Sequence, residues 1–153
     1  MTERATRVPS GAEPREVVVH GSARGFAQEV AVGDHRLTAD EPTTVGGTDS
    51  GPGPYDLLLA ALGSCTSITV GLYARRKEWP LESVIVRLRH SRIHAADCED
   101  CEKKDGMLDR IECDVELHGA LSEEQHTRLL EIANKCPVHR TLRSEIDIRT
   151  RLV

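Results

Sequence analysis

The segment YDLLLAALGSCTSITVGLYARRK, residues 55–77, decides the architecture. Leu58, Ala61, Leu62, Cys65, Ile68, Thr69 and Leu72 recur at helical spacing, which predicts one long helix with Cys65 on its apolar face. The first half, LLLAAL, is apolar nearly all round. That suits a helix enclosed by a sheet and a partner better than one lying on a wet surface. Trp79-Pro80 ends it, because proline cannot continue the helical ladder.

Upstream, residues 42–54 are rich in glycine and proline and read as the loop that leads into this helix. Before them, Val17 to His20, Phe26 to Val32 and Arg36 to Ala39 read as short strands, with turns at Gly25 and Gly33-Asp34. Residues 1–15 are polar and aperiodic, so a loose tail is expected there and a single domain over 16–153.

Downstream, Val84, Val86 and Leu88 alternate with Ile85, Arg87 and Arg89, and Ile111, Cys113, Val115 and Leu117 alternate with Glu112, Asp114, Glu116 and His118. Two strands with one buried face each follow, and in an antiparallel pair the arginines would face the acids. Ser122 and Gln125 have capping-box spacing ahead of Leu129, Leu130, Ile132 and Ala133. Pro137 fits the first turn of a short helix, with Cys136 as its N-cap. Ile146, Ile148, Thr150 and Leu152 read as a last strand. The order is βββ-α-ββ-α-α-β, an α+β domain.

The formal net charge of -5 over 153 residues, with dispersed Lys and Arg, argues against a nucleic-acid partner. The N-terminus lacks the apolar run of a secretory signal, and no stretch is read as a bilayer-crossing segment, so a cytoplasmic protein without a membrane role is expected. Five cysteines in such a chain point to thiol chemistry or metal binding before a disulfide framework.

A thiol attacks as the thiolate. Cys136 at a helix N-terminus meets free N–H groups and the favourable end of the dipole. Cys65 in mid-helix gains little from the dipole and needs a nearby donor or cation, which its local sequence does not supply. From pattern alone Cys65 reads first as a small core hydrophobe on an apolar stripe.

The stretches GPYDLLLAALGSCTSITV and IANKCPVHRTL, with the intervening elements in this order, resemble the OsmC and organic hydroperoxide resistance superfamily, in its OsmC-like branch. The resemblance implies an intertwined homodimer with the two long helices buried at its centre. It implies a cysteine-based peroxidase: Cys65 attacks an organic hydroperoxide to give a sulfenic acid, and Cys136 resolves it as a disulfide. A lipoyl-type dithiol or a small thiol restores the pair. No cofactor is required.

The family places a glutamate ten residues before the helix cysteine, where this chain has Tyr55. Asp56 is the nearest carboxylate, about a hundred degrees further around the helix. The family also brings an arginine from its N-terminal strands to the thiolate, for which Arg24 and Arg36 are the candidates; either reads equally as a solvated strand residue.

The loop IHAADCEDCEKKDG carries a CxxC at Cys98 and Cys101, half of a tetrahedral zinc site that His90, His94 or a partner chain would have to complete. The same pair can form a local disulfide or exchange electrons with Cys65 and Cys136. Cys113 reads as packing and His139 as a surface histidine. The alternatives to a peroxidase are a non-enzymatic small-ligand-binding or redox-sensing stress protein, which Tyr55 favours, and a metal protein built on Cys98 and Cys101.

Overall fold

Short alternating strands joined by tight turns build the first of two compact units, which ends at Pro54. A computed structural model describes residues 15–153, so nearly all of the tail expected over residues 1–15 lies outside the described residues. Strands β1 (Val17–Gly21), β2 (Gln28–Val32) and β3 (His35–Ala39) form an antiparallel meander in which Val30 stands opposite both Val19 and Leu37.

The glycine-rich loop after β3 is organised by one carboxylate. Asp40, 2 % exposed, accepts hydrogen bonds from the Glu41, Thr48 and Ser50 N–H groups at 2.8, 3.1 and 3.1 Å and from the Thr48 and Ser50 hydroxyls at 2.6 and 2.8 Å. Glycine is required where this loop folds back: a Cβ on Gly47 would collide with the Glu41 carbonyl, and one on Gly51 with the Thr38 carbonyl.

The second unit, Tyr55–Val153, is built around helix α1 (Pro54–Arg76). Strands β4 (Leu81–His94) and β5 (Met107–Gly119) pair antiparallel, as the alternation predicts, and α2 (Glu123–Ala133) and α3 (Pro137–Leu142) follow. The expected arginine–acid facing is observed, displaced along the strand. Arg87 pairs with Glu116 at 2.5 Å and Arg89 with Asp114 at 2.7 Å, each a diagonal neighbour of its direct partner. The capping box is closed on both sides, Gln125 N–H to Ser122 Oγ at 3.1 Å and Ser122 N–H to Gln125 Oε1 at 2.9 Å.

Val70 and Ala74 of α1 pack with Leu129 and Ala133 of α2, and Trp79, Val84, Val115 and Leu117 close around them. Three expectations are corrected. The buried stripe of α1 is Leu62, Gly63, Thr66, Val70 and Ala74, whereas Ile68 is 66 % exposed and Leu72 is also exposed. A helix apolar on most sides has no periodicity strong enough to choose its inner face. By length and composition α1 is apolar enough to cross a bilayer, contrary to the expectation that no stretch is; it also supplies Val70 and Ala74 to this unit's core. Finally, residues 145–152 form no strand. Ile148 and Leu152 stay exposed there, and an alternating segment forms a ladder only beside another strand.

Hydrogen bonds, led by that of the Thr48 hydroxyl and then those of the Ser50 main chain and hydroxyl, hold the Asp40 carboxyl well below the usual carboxylate range. A depressed native value stabilises the fold above the unfolded value, about 4, and that contribution is lost as the pH falls from there toward the native value. Urea titrations followed through β1–β3 amide signals are expected to show wild type losing stability in acid below about pH 4. Asp40→Asn, less stable at neutral pH, should show a flatter acid profile.

Candidate functional site

Two sulfurs from elements far apart in sequence meet inside the second unit. Proline at the first helical position and Cys136 in extended backbone, φ -61° and ψ 145°, start α3 in the way a Cys-Pro pair dictates. The N–H groups of the first turn have no partners within the helix. The His139 N–H donates to Cys136 Sγ at 3.3 Å, and the Val138 N–H acts on the sulfur of Cys65, half-buried on α1, favouring its thiolate. One short helix thus serves both thiols.

Cys136 is fully buried. Its Sγ lies 3.5 Å from Thr66 Oγ1, and the Thr66 hydroxyl donates to the Leu62 carbonyl at 2.8 Å. A hydroxyl has one proton, so toward Cys136 Thr66 accepts and the thiol donates. The neighbouring Cys136 also favours the protonated form of Cys65.

Burial, foremost, pushes the Cys65 thiol up; the Val138 N–H opposes it, the hydrogen bond and charge of Cys136 add to it, and the Thr69 hydroxyl lowers it again. The net direction for Cys65 is upward. The sulfur contacts of Val138, Thr66 and Thr69 are invisible to local sequence reading. The available signal was two threonines beside Cys65 in an otherwise apolar helix, and an unpaired N–H two residues after the Cys-Pro cysteine.

The other candidate residues make contacts of their own. Arg36, on β3, folds back on its own hairpin, donating to the Gly33 and His35 carbonyls at 2.7 and 2.9 Å, and Arg24 sits in the β1–β2 turn with its main-chain N–H on Ser22 Oγ at 3.1 Å. Asp56 is in the first turn of α1, about 13 Å along the axis from Cys65 at the helical rise. Tyr55 stacks on His90 with ring centroids 4.4 Å apart and planes 12° from parallel; His90 Nε2 also meets Asp109 Oδ1 at 2.9 Å. His139 supplies its main-chain N–H to Cys136.

Cys98 and Cys101 are joined as a disulfide in the β4–β5 loop, their Cα atoms 5.4 Å apart. Bonded in this way they offer no thiolate to a metal, and among the described residues no group of three or more His, Cys, Asp or Glu side chains forms a metal-binding cluster.

The sequence profile of the OsmC-like protein family matches residues 47–151. Among solved structures, an OsmC-like protein of Mycoplasma pneumoniae superposes with a TM-score of 0.66 at 21 % identity, covering 85 % of this chain and 87 % of that one. An organic hydroperoxide resistance protein of Legionella pneumophila gives 0.65 at 20 % identity, covering 90 % and 95 %. One from Vibrio cholerae, described as putative and with captopril in one of its active sites, gives 0.59 at 21 % identity, covering 92 % and 93 %. At these identities the likeness is one of fold. A search of curated proteins finds no match.

The opposed influences on Cys65 give a signed test. Iodoacetamide alkylation of Cys65, read by peptide mass spectrometry across pH, is expected to have its midpoint above that of free cysteine. Cys136→Ala should move the midpoint down and Thr69→Val should move it up.

Proposed function

This chain belongs to the OsmC-like protein family, and from that membership we propose that it is a thiol-dependent peroxidase reducing organic hydroperoxides through Cys65 and Cys136. The observation that carries the reading is that Thr66, the residue after Cys65 on α1, meets the sulfur of Cys136, the cap of α3, at 3.5 Å, which makes the two thiols neighbours. Two thiols in contact are what a sulfenic acid and its resolving partner need. The names of fold neighbours that are hydroperoxide resistance proteins support the substrate class.

In this reading the Cys65 thiolate attacks one oxygen of the peroxide. The O–O bond breaks, an alcohol leaves with a proton, and Cys65 becomes a sulfenic acid. Cys136 Sγ then attacks the Cys65 sulfur, water departs, and the disulfide closes. A lipoyl-type dithiol or a small thiol reopens it by exchange. The Val138 N–H and the Thr69 hydroxyl hold the attacking thiolate, with Arg24 or Arg36 as the cation that completes it and Asp56 as a weaker carboxylate candidate. A homodimer would cover Ile68 and Leu72, which one chain leaves exposed on α1.

A second reading, a redox-sensing or small-ligand-binding protein without rapid turnover, is favoured by Tyr55. Its ring is engaged with His90 at the position where the family's glutamate would stand.

Turnover of cumene hydroperoxide with dihydrolipoamide as reductant separates the two. Wild type is expected to prefer cumene hydroperoxide to hydrogen peroxide, and Cys65→Ser should fall to the uncatalysed rate. Wild type no faster than Cys65→Ser would overturn the peroxidase reading and leave the sensor.

A further inference from the structure

Cys98 and Cys101 take no part in the reaction above, and theirs is the one disulfide among the described residues. Only Glu99 and Asp100 separate them. A disulfide stabilises a fold by closing a loop in the unfolded chain, an effect that shrinks with the loop. This bond is therefore a poor staple. The loop that carries it is also held by other means. The β4–β5 ladder runs out to His94 and Met107, and the N–H of Ala95, a fully buried residue, then donates to the Gly106 carbonyl at 2.7 Å. The Cys98 N–H donates to the Ala95 carbonyl at 3.2 Å. Lys104 Nζ donates to the Cys98 and Glu99 carbonyls at 2.8 and 3.1 Å. None of these contacts passes through a sulfur, so the segment keeps them when the bond opens.

Access and charge say what can reach it. Both cysteines are half-buried, and Asp97, Glu99, Asp100, Glu102 and Asp105 around them are exposed. Against these five carboxylates, residues 95–106 carry the two ammonium groups of Lys103 and Lys104, an excess of three negative charges. Such a surface repels an approaching carboxylate and admits an uncharged molecule. Lys104, seated on the Cys98 carbonyl, places a positive charge beside that residue, where it favours a thiolate.

We propose that the β4–β5 loop is a second redox site, at which the Cys98–Cys101 couple exchanges two electrons with an uncharged dithiol. This site stands whether or not the peroxidase reading does. One thiolate of the external dithiol attacks Cys101 Sγ, the Cys98–Cys101 bond breaks, and Cys98 leaves as a thiolate beside Lys104. The second external thiolate attacks the external sulfur now bonded to Cys101, the mixed bond breaks, and Cys101 leaves in turn. The external dithiol is oxidised to its disulfide and the couple is reduced. The two protons given up by the external thiols end on Cys98 and Cys101. The reverse sequence recloses the loop.

The test takes the whole oxidised chain and treats it with dihydrolipoamide or with dihydrolipoate, the same dithiol carrying a carboxylate. After a timed acid quench and alkylation, peptide mass spectrometry follows Cys98 and Cys101. Both are expected to become alkylated together without urea, several-fold faster with dihydrolipoamide at low salt, and the gap should close as salt screens the loop. Excess lipoamide should reclose the pair, with the β4–β5 amide signals in place throughout. Reduction only in the urea-unfolded chain would overturn the proposal and leave a structural bond. Equal rates for the two dithiols at low salt would overturn it as well, leaving an exposed bond that selects nothing. Cys65→Ser, which removes the peroxidase chemistry, should show the same rates at Cys98 and Cys101, so each claim can fail without the other.

Discussion

The free N–H groups at the start of α3 are the constraint on which the thiol site depends. A helix must leave its first N–H groups unpaired, and here the His139 group is taken by the sulfur of Cys136 while the Val138 group favours the thiolate of Cys65. The chemistry of the site therefore rests on Pro137, which fixes where α3 begins, and on the packing of α1 with α2 through Val70, Ala74, Leu129 and Ala133. The thiols are not brought together by their own attraction. They are held by the ends and faces of elements that the core already orders.

Magnitudes explain why this arrangement is incomplete as a thiolate site. A hydrogen bond to a charged group contributes about 1.5–3 kcal/mol, and one unit of pKa corresponds to about 1.4 kcal/mol. Val138 and Thr69 act in the right direction on Cys65, yet burial and the neighbouring Cys136 outweigh them. A full positive charge at short range is the ordinary remedy. In the peroxidase reading proposed above, that is the physical sense of an arginine beside the thiolate.

Much of the fold was legible because its signals are local. Alternation gave β4 and β5, the Ser122–Gln125 spacing gave the start of α2, and Cys136-Pro137 gave the start of α3. What escaped depends on contacts between distant positions. The inner face of α1 could not be read, because LLLAAL is apolar in every direction and only the packed partners select Leu62, Thr66 and Val70. Asp40 looks like an ordinary polar residue at a strand end, and its role becomes visible only when Thr48 and Ser50 fold back on it. Residues 145–152 carry strand alternation, but pairing is a property of two segments. The same limit applied to the site: Cys136 was readable as a cap, whereas its approach to Cys65 and Thr66 required the tertiary structure.

The most direct test of the central claim is a stopped-flow measurement of the second-order rate constant for oxidation of Cys65 by an organic hydroperoxide at neutral pH, with free cysteine measured alongside. The account predicts a constant for Cys65 above that of free cysteine, through the arginine that completes the site and against the upward pull of burial on the thiol, followed by a concentration-independent step as Cys136 closes the disulfide. A constant equal to or below that of free cysteine would contradict it, because the α3 donors would then hold a thiol that packing protects and the site does not activate.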